Sequence, residues 1–289
     1  MKFVEYDIFG DEIEDNLGLR GRYGEPPFSV LDTKRGEWQE RKRAWKDLGL
    51  KSELGRDAKC MDTTHFDKKY GFKNGTINND ISIFDPALCE VIYGWFVPDG
   101  GSVLDPFAGG SVRGIVANKL GYKYTGIDIR QEQVDSNVEQ AKAIVPGNEP
   151  TWIVGDSDKV LDTIDDQFDF LFSCPPYADL EVYSELPGDI SNMPYPQFLE
   201  SYRSIIKKAC SKLKDGCLAC FVVGEVRGKD GNYLGFVPDT VRAFMDCGMH
   251  YYNEAVLLNP VGTAHLRAER YMKSKKLAKL HQNILVFKK

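Results

Sequence analysis

From Ser102 onward, short apolar runs alternate with stretches of helical periodicity, and this alternation narrows the fold more than any other feature of the chain. Strand-length runs stand at 102–105, 124–129, 152–154, 168–172 and 218–223. Between them, 112–120, 131–143, 159–164, 195–213 and 237–247 carry apolar residues at helical spacing, and Gly121 closes the first of these helices. Upstream, 86–96 has the same spacing through Leu88, Val91, Ile92 and Trp95, with Asp85 placed to cap it. Strands that alternate with helices predict a largely parallel sheet covered on both faces, an α/β architecture. The last two runs, 251–258 and 283–287, have no helix pattern between them. They are expected to form a terminal hairpin, with one strand antiparallel to the rest.

The 289 residues, 42% hydrophobic and 28% charged, suit one large domain with additions. We divide the chain into an N-terminal extension, 1–80, and a main domain, 81–289, with a basic insertion at about 259–280. The stretch from 1 to 30 is acidic and then rich in Gly and Pro, which reads as a loose lead-in. No run of apolar residues is long enough for a membrane span, and residues 1–15 lack the apolar core of a signal peptide. A cytoplasmic location and no membrane partner are expected. The seven cysteines do not suggest a disulfide framework. Cys217 and Cys220, three apart on a strand, should face opposite sides, and the four histidines have no ligand spacing, so no metal is expected. The net charge of −6 opposes indiscriminate binding to polyanions. Two basic runs, 34–46 and 267–279, nevertheless stand out. They are either solvated faces or grips for a nucleic-acid backbone.

The strand ends carry the chemistry. Val103-Leu-Asp-Pro-Phe-Ala-Gly-Gly-Ser111 is a buried strand that ends in Asp105 and turns through Gly109 and Gly110 into a helix opened at Ser111. The glycines let the backbone approach a ligand, and the helix start offers free N–H groups to an anionic one. The spacing is neither a dinucleotide Gly-x-Gly-x-x-Gly nor a Walker loop, since no lysine follows. Asp128 ends the next strand, about twenty residues on, where an acid grips ribose hydroxyls in the analogous dinucleotide fold. Asp156, with Ser157, follows the third strand and can accept from an adenine amino group. Each acid alone is as well explained as a helix cap; their recurrence favours one shared site. After the fourth strand comes Ser173-Cys174-Pro175-Pro176-Tyr177. Two prolines donate no ladder hydrogen bonds, so the strand stops there in a rigid turn followed by an aromatic ring.

Asp105-Pro-Phe107-Ala-Gly109-Gly110-Ser111 and Cys174-Pro-Pro-Tyr177 resemble the cofactor-binding and catalytic motifs of the N6-adenine and N4-cytosine DNA methyltransferases. Ser82-Ile-Phe84-Asp-Pro-Ala-Leu is similar to the segment that precedes the cofactor loop in that family. Over about 26–289 the chain also resembles phage-encoded DNA methylases, through the stretches 27–33, 51–56 and 281–287. The resemblance implies a class I (Rossmann-like) methyltransferase sheet and S-adenosyl-L-methionine as cofactor. It implies DNA as partner, in a host cytoplasm if the gene is a phage's. The cofactor would be held by Phe84, Asp105, Phe107, Gly109, Gly110, Ser111, Asp128, Asp156 and Ser157. Cys174, Pro175, Pro176 and Tyr177 would act on the exocyclic amino group of a flipped base. The family usually has Asp, Asn or Ser where Cys174 stands, and a neutral thiol is a weak acceptor. Main-chain carbonyls, Ser173 or a water would then help. Two alternatives remain: RNA or protein methylation on the same fold, or C5-pyrimidine methylation with Cys174 as nucleophile. The 259–280 insertion and the basic helix at 38–50 are the two candidate readers of DNA.

Overall fold

The computed structural model describes residues 18–51, 84–177, 184, 186, 188–228, 230–262 and 264–289. Cys60, His65, most of the 51–56 stretch, and Ser82 and Ile83 of the segment before the cofactor loop lie outside the described residues.

An eight-stranded sheet runs through the molecule in the order β1-β7-β8-β6-β5-β2-β3-β4. The strands are β1 (Val30–Asp32), β2 (Ser102–Asp105), β3 (Lys123–Asp128), β4 (Thr151–Val154), β5 (Phe168–Ser173), β6 (Leu213–Val223), β7 (His250–Leu258) and β8 (His281–Lys288). All neighbouring pairs are parallel except those that β8 makes with β6 and β7. The expected reversed strand is therefore β8, inserted between β6 and β7.

The period-2 alternation of each strand sorts its side chains onto two cores. Val103, Phe170, Phe172, Cys220, Val222, Ile284 and Val286 face one layer. Leu104, Leu171, Ala219, Phe221, Val223, Leu285 and Phe287 face the other. The first layer holds helices α2 (Gly36–Asp47), α3 (Pro86–Phe96), α4 (Val112–Lys119) and α5 (Gln131–Ile144). The second holds the short α6 (Ser157–Val160) followed by a 3-10 turn, then α7 (Tyr195–Ser211) and α8 (Phe236–Met245). Cys217 packs on the second core and Cys220 on the first, so the two sulfurs diverge as their spacing predicts.

Two parts differ from the sequence reading. The lead-in is not wholly irregular: a helical turn, α1 (Gly18–Tyr23), precedes β1, which pairs in parallel with β7 at Val30–Val256 through Asp32–Leu258. Three residues are too few to show an alternation, and only the exposed edge of β7 selects them as a strand. The insertion between β7 and β8 holds a helix, α9 (Ala264–Lys273), where none was expected. Its composition is helix-forming, and Ala264 is its one buried residue among those whose burial is described.

The basic helix α2 is docked on the domain. Trp38 and Trp45 are buried, and their indole N–H groups donate to Asp85 at 3.2 Å and Glu90 at 2.9 Å on α3 and its cap. Lys42 pairs with Asp85 at 3.1 Å and Arg41 with Glu90 at 3.4 Å. Two buried indoles at about 25 cal/mol per Å² contribute on the order of several kcal/mol to this contact. Asp85 caps α3 as expected, accepting from the Ala87 N–H at 3.0 Å. Among the described residues no helix is long and apolar enough to cross a membrane.

Candidate active site

The chain leaves β2 towards β3 and β4 on one side, then returns to build β5 and β6 on the other. A parallel sheet that reverses its winding opens a crevice at the carboxyl ends of the strands beside the reversal. Here that crevice is a cleft of about 400 Å³. Phe84, Phe107, Gly109, Gly110, Asp128, Asp156, Ser157, Cys174, Pro175, Pro176 and Tyr177 all line it. Asp105 and Ser111 do not.

Each wall follows from local structure. Gly109 has φ +54°, a conformation that favours glycine, and its N–H donates to the Asp128 carboxylate at 2.9 Å. Asp128 also accepts from the Arg130 N–H at 2.9 Å, so the tips of β2 and β3 are tied through one acid. Gly126, inside β3, has no room for a side chain: a Cβ there would stand 2.8 Å from the Ala108 Cβ and 2.7 Å from the Tyr124 ring. Asp156 caps α6 by accepting from the Asp158 N–H at 3.0 Å. Ser157 donates to the Pro106 carbonyl at 2.5 Å and so joins the β4 turn to the β2 turn. Gly188 lies over Asp156, and a Cβ there would stand 3.1 Å from its Oδ2 and 3.5 Å from the Ile129 side chain. The acid, Ile129 and the bare glycine backbone meet on the cleft wall.

Asp105 lies beneath the cleft, wholly buried. Its Oδ2 accepts from Arg113 Nε at 2.5 Å and the Tyr124 hydroxyl at 2.7 Å; its Oδ1 accepts from the Ser173 hydroxyl at 2.6 Å and the Phe107 N–H at 3.1 Å. The acid thus bolts the glycine turn, β3 and the residue before Cys174 together. Burial depresses the Arg113 guanidinium, but the adjoining Asp105 more than offsets this and holds its pKa above the ordinary value. Burial, with Asp105 adding to it, pushes the Tyr124 phenol well up. Ser111 is likewise buried and donates to Gln140 on α5 at 2.6 Å. Its side chain makes no cap hydrogen bond to α4.

The double-proline turn leaves β5 at Ser173. The Cys174 Sγ lies 3.7 Å from the Tyr177 hydroxyl, which accepts from Gln282 Nε2 at 2.8 Å. The Tyr177 ring meets Phe236 edge-on, with centroids 6.0 Å apart. Gln282, Asn259 and Pro260 line the same cleft from the β7–β8 end of the sheet. Sequence reading named none of these three, nor Arg113 or Thr33, as a site residue, because their place in the cleft depends on the tertiary fold. Thr33 and Gln282 fall in two of the stretches that resemble phage methylases, and Asn259 and Pro260 open the insertion.

The two basic runs differ. In the first, Arg35, Arg41 and Lys42 are paired with Glu25, Glu90 and Asp85. In the second, Lys273 and Lys275 are exposed and Lys276 is half-buried, with its Nζ against Gly231 in the turn after β6. Because β8 runs against β6, the whole 259–280 insertion leaves and re-enters the sheet at the carboxyl ends of the parallel strands. At its return, burial lowers the pKa of Lys279, and burial with Lys279 nearby lowers that of His281.

Residues 38–139 match the model of the N6/N4 methyltransferase family, described as DNA methylase. The resemblance read from Asp105 to Ser111 therefore holds over that stretch, while the Cys174–Tyr177 turn lies beyond it. A search of curated proteins finds no relative. Among solved structures, TrmN from Thermus thermophilus superposes with a TM-score of 0.50 at 14% identity, over 71% of this chain and 49% of its own. The chain thus spans about half the length of that protein. A protein titled SAM-dependent methyltransferase from Methanosarcina mazei matches with a TM-score of 0.45 at 17% identity, over 68% of this chain and 96% of its own. Magnesium protoporphyrin IX methyltransferase from Synechocystis PCC 6803, solved with bound SAM, matches with a TM-score of 0.47 at 13% identity, over 79% and 92%. The fold is that of the class I methyltransferases.

Proposed function

We propose that this chain transfers a methyl group from S-adenosylmethionine to the exocyclic amino group of a base in DNA, adenine N6 or cytosine N4. One observation carries the reading: the glycine turn after β2 and the double-proline turn after β5 line a single cleft at the switch point of the sheet. The family match over 38–139 adds the substrate class.

The donor set suits the cofactor. Asp128 is an acceptor fit for two ribose hydroxyls, and a carboxylate accepts up to about four hydrogen bonds in all. Asp156 accepts from an adenine amino group, with Ile129 and Gly188 beside it on the cleft wall. The turn at Gly109 and Gly110 brings backbone close to the amino-acid end, with Phe84 and Phe107 as apolar walls. The cofactor, when bound, supplies a methyl group on a cationic sulfur. Asp105 and Ser111 support these walls from beneath.

The protein's own work is on the base. An aromatic amino nitrogen is a poor nucleophile because its lone pair is shared with the ring. Acceptors in the Cys174–Pro175 turn, the Pro175 carbonyl above all, hold the amino hydrogens and free the lone pair towards the methyl group. Tyr177 stacks on the extruded base, and Gln282 fixes the Tyr177 hydroxyl. Positioning and preorganised acceptors provide most of the acceleration. The exposed lysines of the 259–280 insertion take DNA phosphates.

The test is transfer of labelled methyl from the cofactor to DNA, RNA or protein, followed by mass spectrometry of the nucleosides. N6-methyladenine or N4-methylcytosine supports the reading. Label in RNA or protein alone overturns the substrate. 5-Methylcytosine overturns the amino chemistry and points to Cys174 as a nucleophile.

A further inference from the structure

Arg113 is the one cleft-lining cation whose charge is almost entirely buried, its side chain being 6% exposed. It is the second residue of α4 and reaches back under the glycine turn. Its Nε is held by Asp105 at 2.5 Å, and its Nη2 by the carbonyls of Phe107 at 2.6 Å and Ala108 at 2.9 Å. The Phe84 ring covers the guanidinium, 4.6 Å from its carbon to the ring centroid. Among the described residues, Nη1 has no hydrogen-bond partner. The other cations on the cleft wall are spoken for at their tips: Lys42 by Asp85 at 3.1 Å, Arg130 by Gln133 at 2.7 Å. Nη1 is not sealed from solvent, so its N–H groups stay open to a ligand in the cleft that Arg113 lines, and a planar fork is built for carboxylates.

We infer that Arg113 grips the carboxylate of the amino-acid end of the methyl donor through Nη1, the rest of its guanidinium being anchored by Asp105 and the glycine turn. This rests on the cofactor proposed above and adds a positioning residue that neither motif contains. The buried Asp105 serves to hold the fork rigid and to offset its charge. Affinity therefore comes from directed N–H groups more than from net charge.

The experiment is calorimetric titration of the full chain with two nucleosides, S-adenosylhomocysteine and 5′-methylthioadenosine, which lacks the amino-acid end. The wild-type protein should prefer the first by at least about tenfold, as a lost charge-assisted hydrogen bond predicts. R113K, whose single ammonium is taken by Asp105, should weaken S-adenosylhomocysteine about tenfold or more and change 5′-methylthioadenosine less than about threefold. Retained binding of the second ligand shows that the pocket still folds. If R113K does not fold, D105N/R113Q, which removes both charges together, is read the same way, and the wild-type preference stands as the remaining criterion. Parallel loss of both ligands, unchanged S-adenosylhomocysteine binding, or no wild-type preference overturns the inference while leaving the cofactor reading intact. Failure of the wild-type protein to bind either nucleoside overturns that reading as well.

Discussion

Replacing Asp105 by Ala removes the acceptor at which four donors meet: Arg113 Nε at 2.5 Å, the Ser173 hydroxyl at 2.6 Å, the Tyr124 hydroxyl at 2.7 Å and the Phe107 N–H at 3.1 Å. Breaking one side of a buried ion pair costs about 3–5 kcal/mol. Each neutral donor left without a partner adds about 1–3 kcal/mol, but these terms are far from additive in one network, and we take about 4–6 kcal/mol for the whole. At about 2.1 cal/mol/K per residue, unfolding of a chain of this length has an entropy of roughly 0.6 kcal/mol/K, so the melting temperature should fall by about 7–10 °C. Thermal unfolding followed by circular dichroism measures this directly. The double variant D105A/R113M, which also removes the stranded cation, should recover about half the loss, because the uncompensated buried charge is gone while the Ser173, Tyr124 and Phe107 donors still lack their acceptor. A fall below about 2 °C for D105A, or a double variant as unstable as the two single losses summed, would refute the account of Asp105 as the bolt beneath the cleft.

The other predictions concern the cleft and its mouth. Tyr177→Ala should abolish methyl transfer to DNA with nucleoside binding unchanged, as seen by parallel transfer and titration assays; retained transfer removes the ring from the mechanism. Cys174→Ser should keep methyl transfer within about tenfold, since a hydroxyl is no worse an acceptor than a thiol; complete loss with cofactor still bound favours covalent attack instead. Neutralising Lys273, Lys275 and Lys276 together should flatten the salt dependence of DNA binding by up to about 2–3 in log–log slope, read by fluorescence anisotropy across a salt series. An unchanged slope takes the insertion out of the DNA contact. Gly126→Ala drives a methyl group into Ala108 and Tyr124 and should destabilise the protein by about 1–3 kcal/mol in chemical denaturation, with weaker nucleoside binding because the glycine turn must shift.

Much of the site could be read from the chain because its residues lie at the ends of strands. A strand that is apolar on both faces is buried on both faces, so the residue that ends it emerges at one edge of the sheet. In a parallel sheet all those ends share an edge. Asp128, Asp156 and the Cys174–Tyr177 turn were brought onto one cleft by that rule alone. The same reasoning could not separate Asp105 from the other acids. It ends its strand as they do, but it sits on β2 in the middle of the sheet, with Arg113, Tyr124 and Ser173 closing over it. Its part is set by those neighbours.

What the sequence determined by itself was the class of sheet, the reversal of one of its last two strands and the motifs at its strand tips, because hydrophobic period and turn chemistry act over a few residues. Tertiary structure decided the rest. Val30–Asp32 became a strand only because β7 offered it an open edge. Arg41 and Lys42 of α2 were taken up by acids of α3 and its cap, 43–49 positions away in the chain. Gln282 reached Tyr177 across 105 positions. Each of these depends on partners distant in sequence, and contacts of that kind leave no local period from which they can be read.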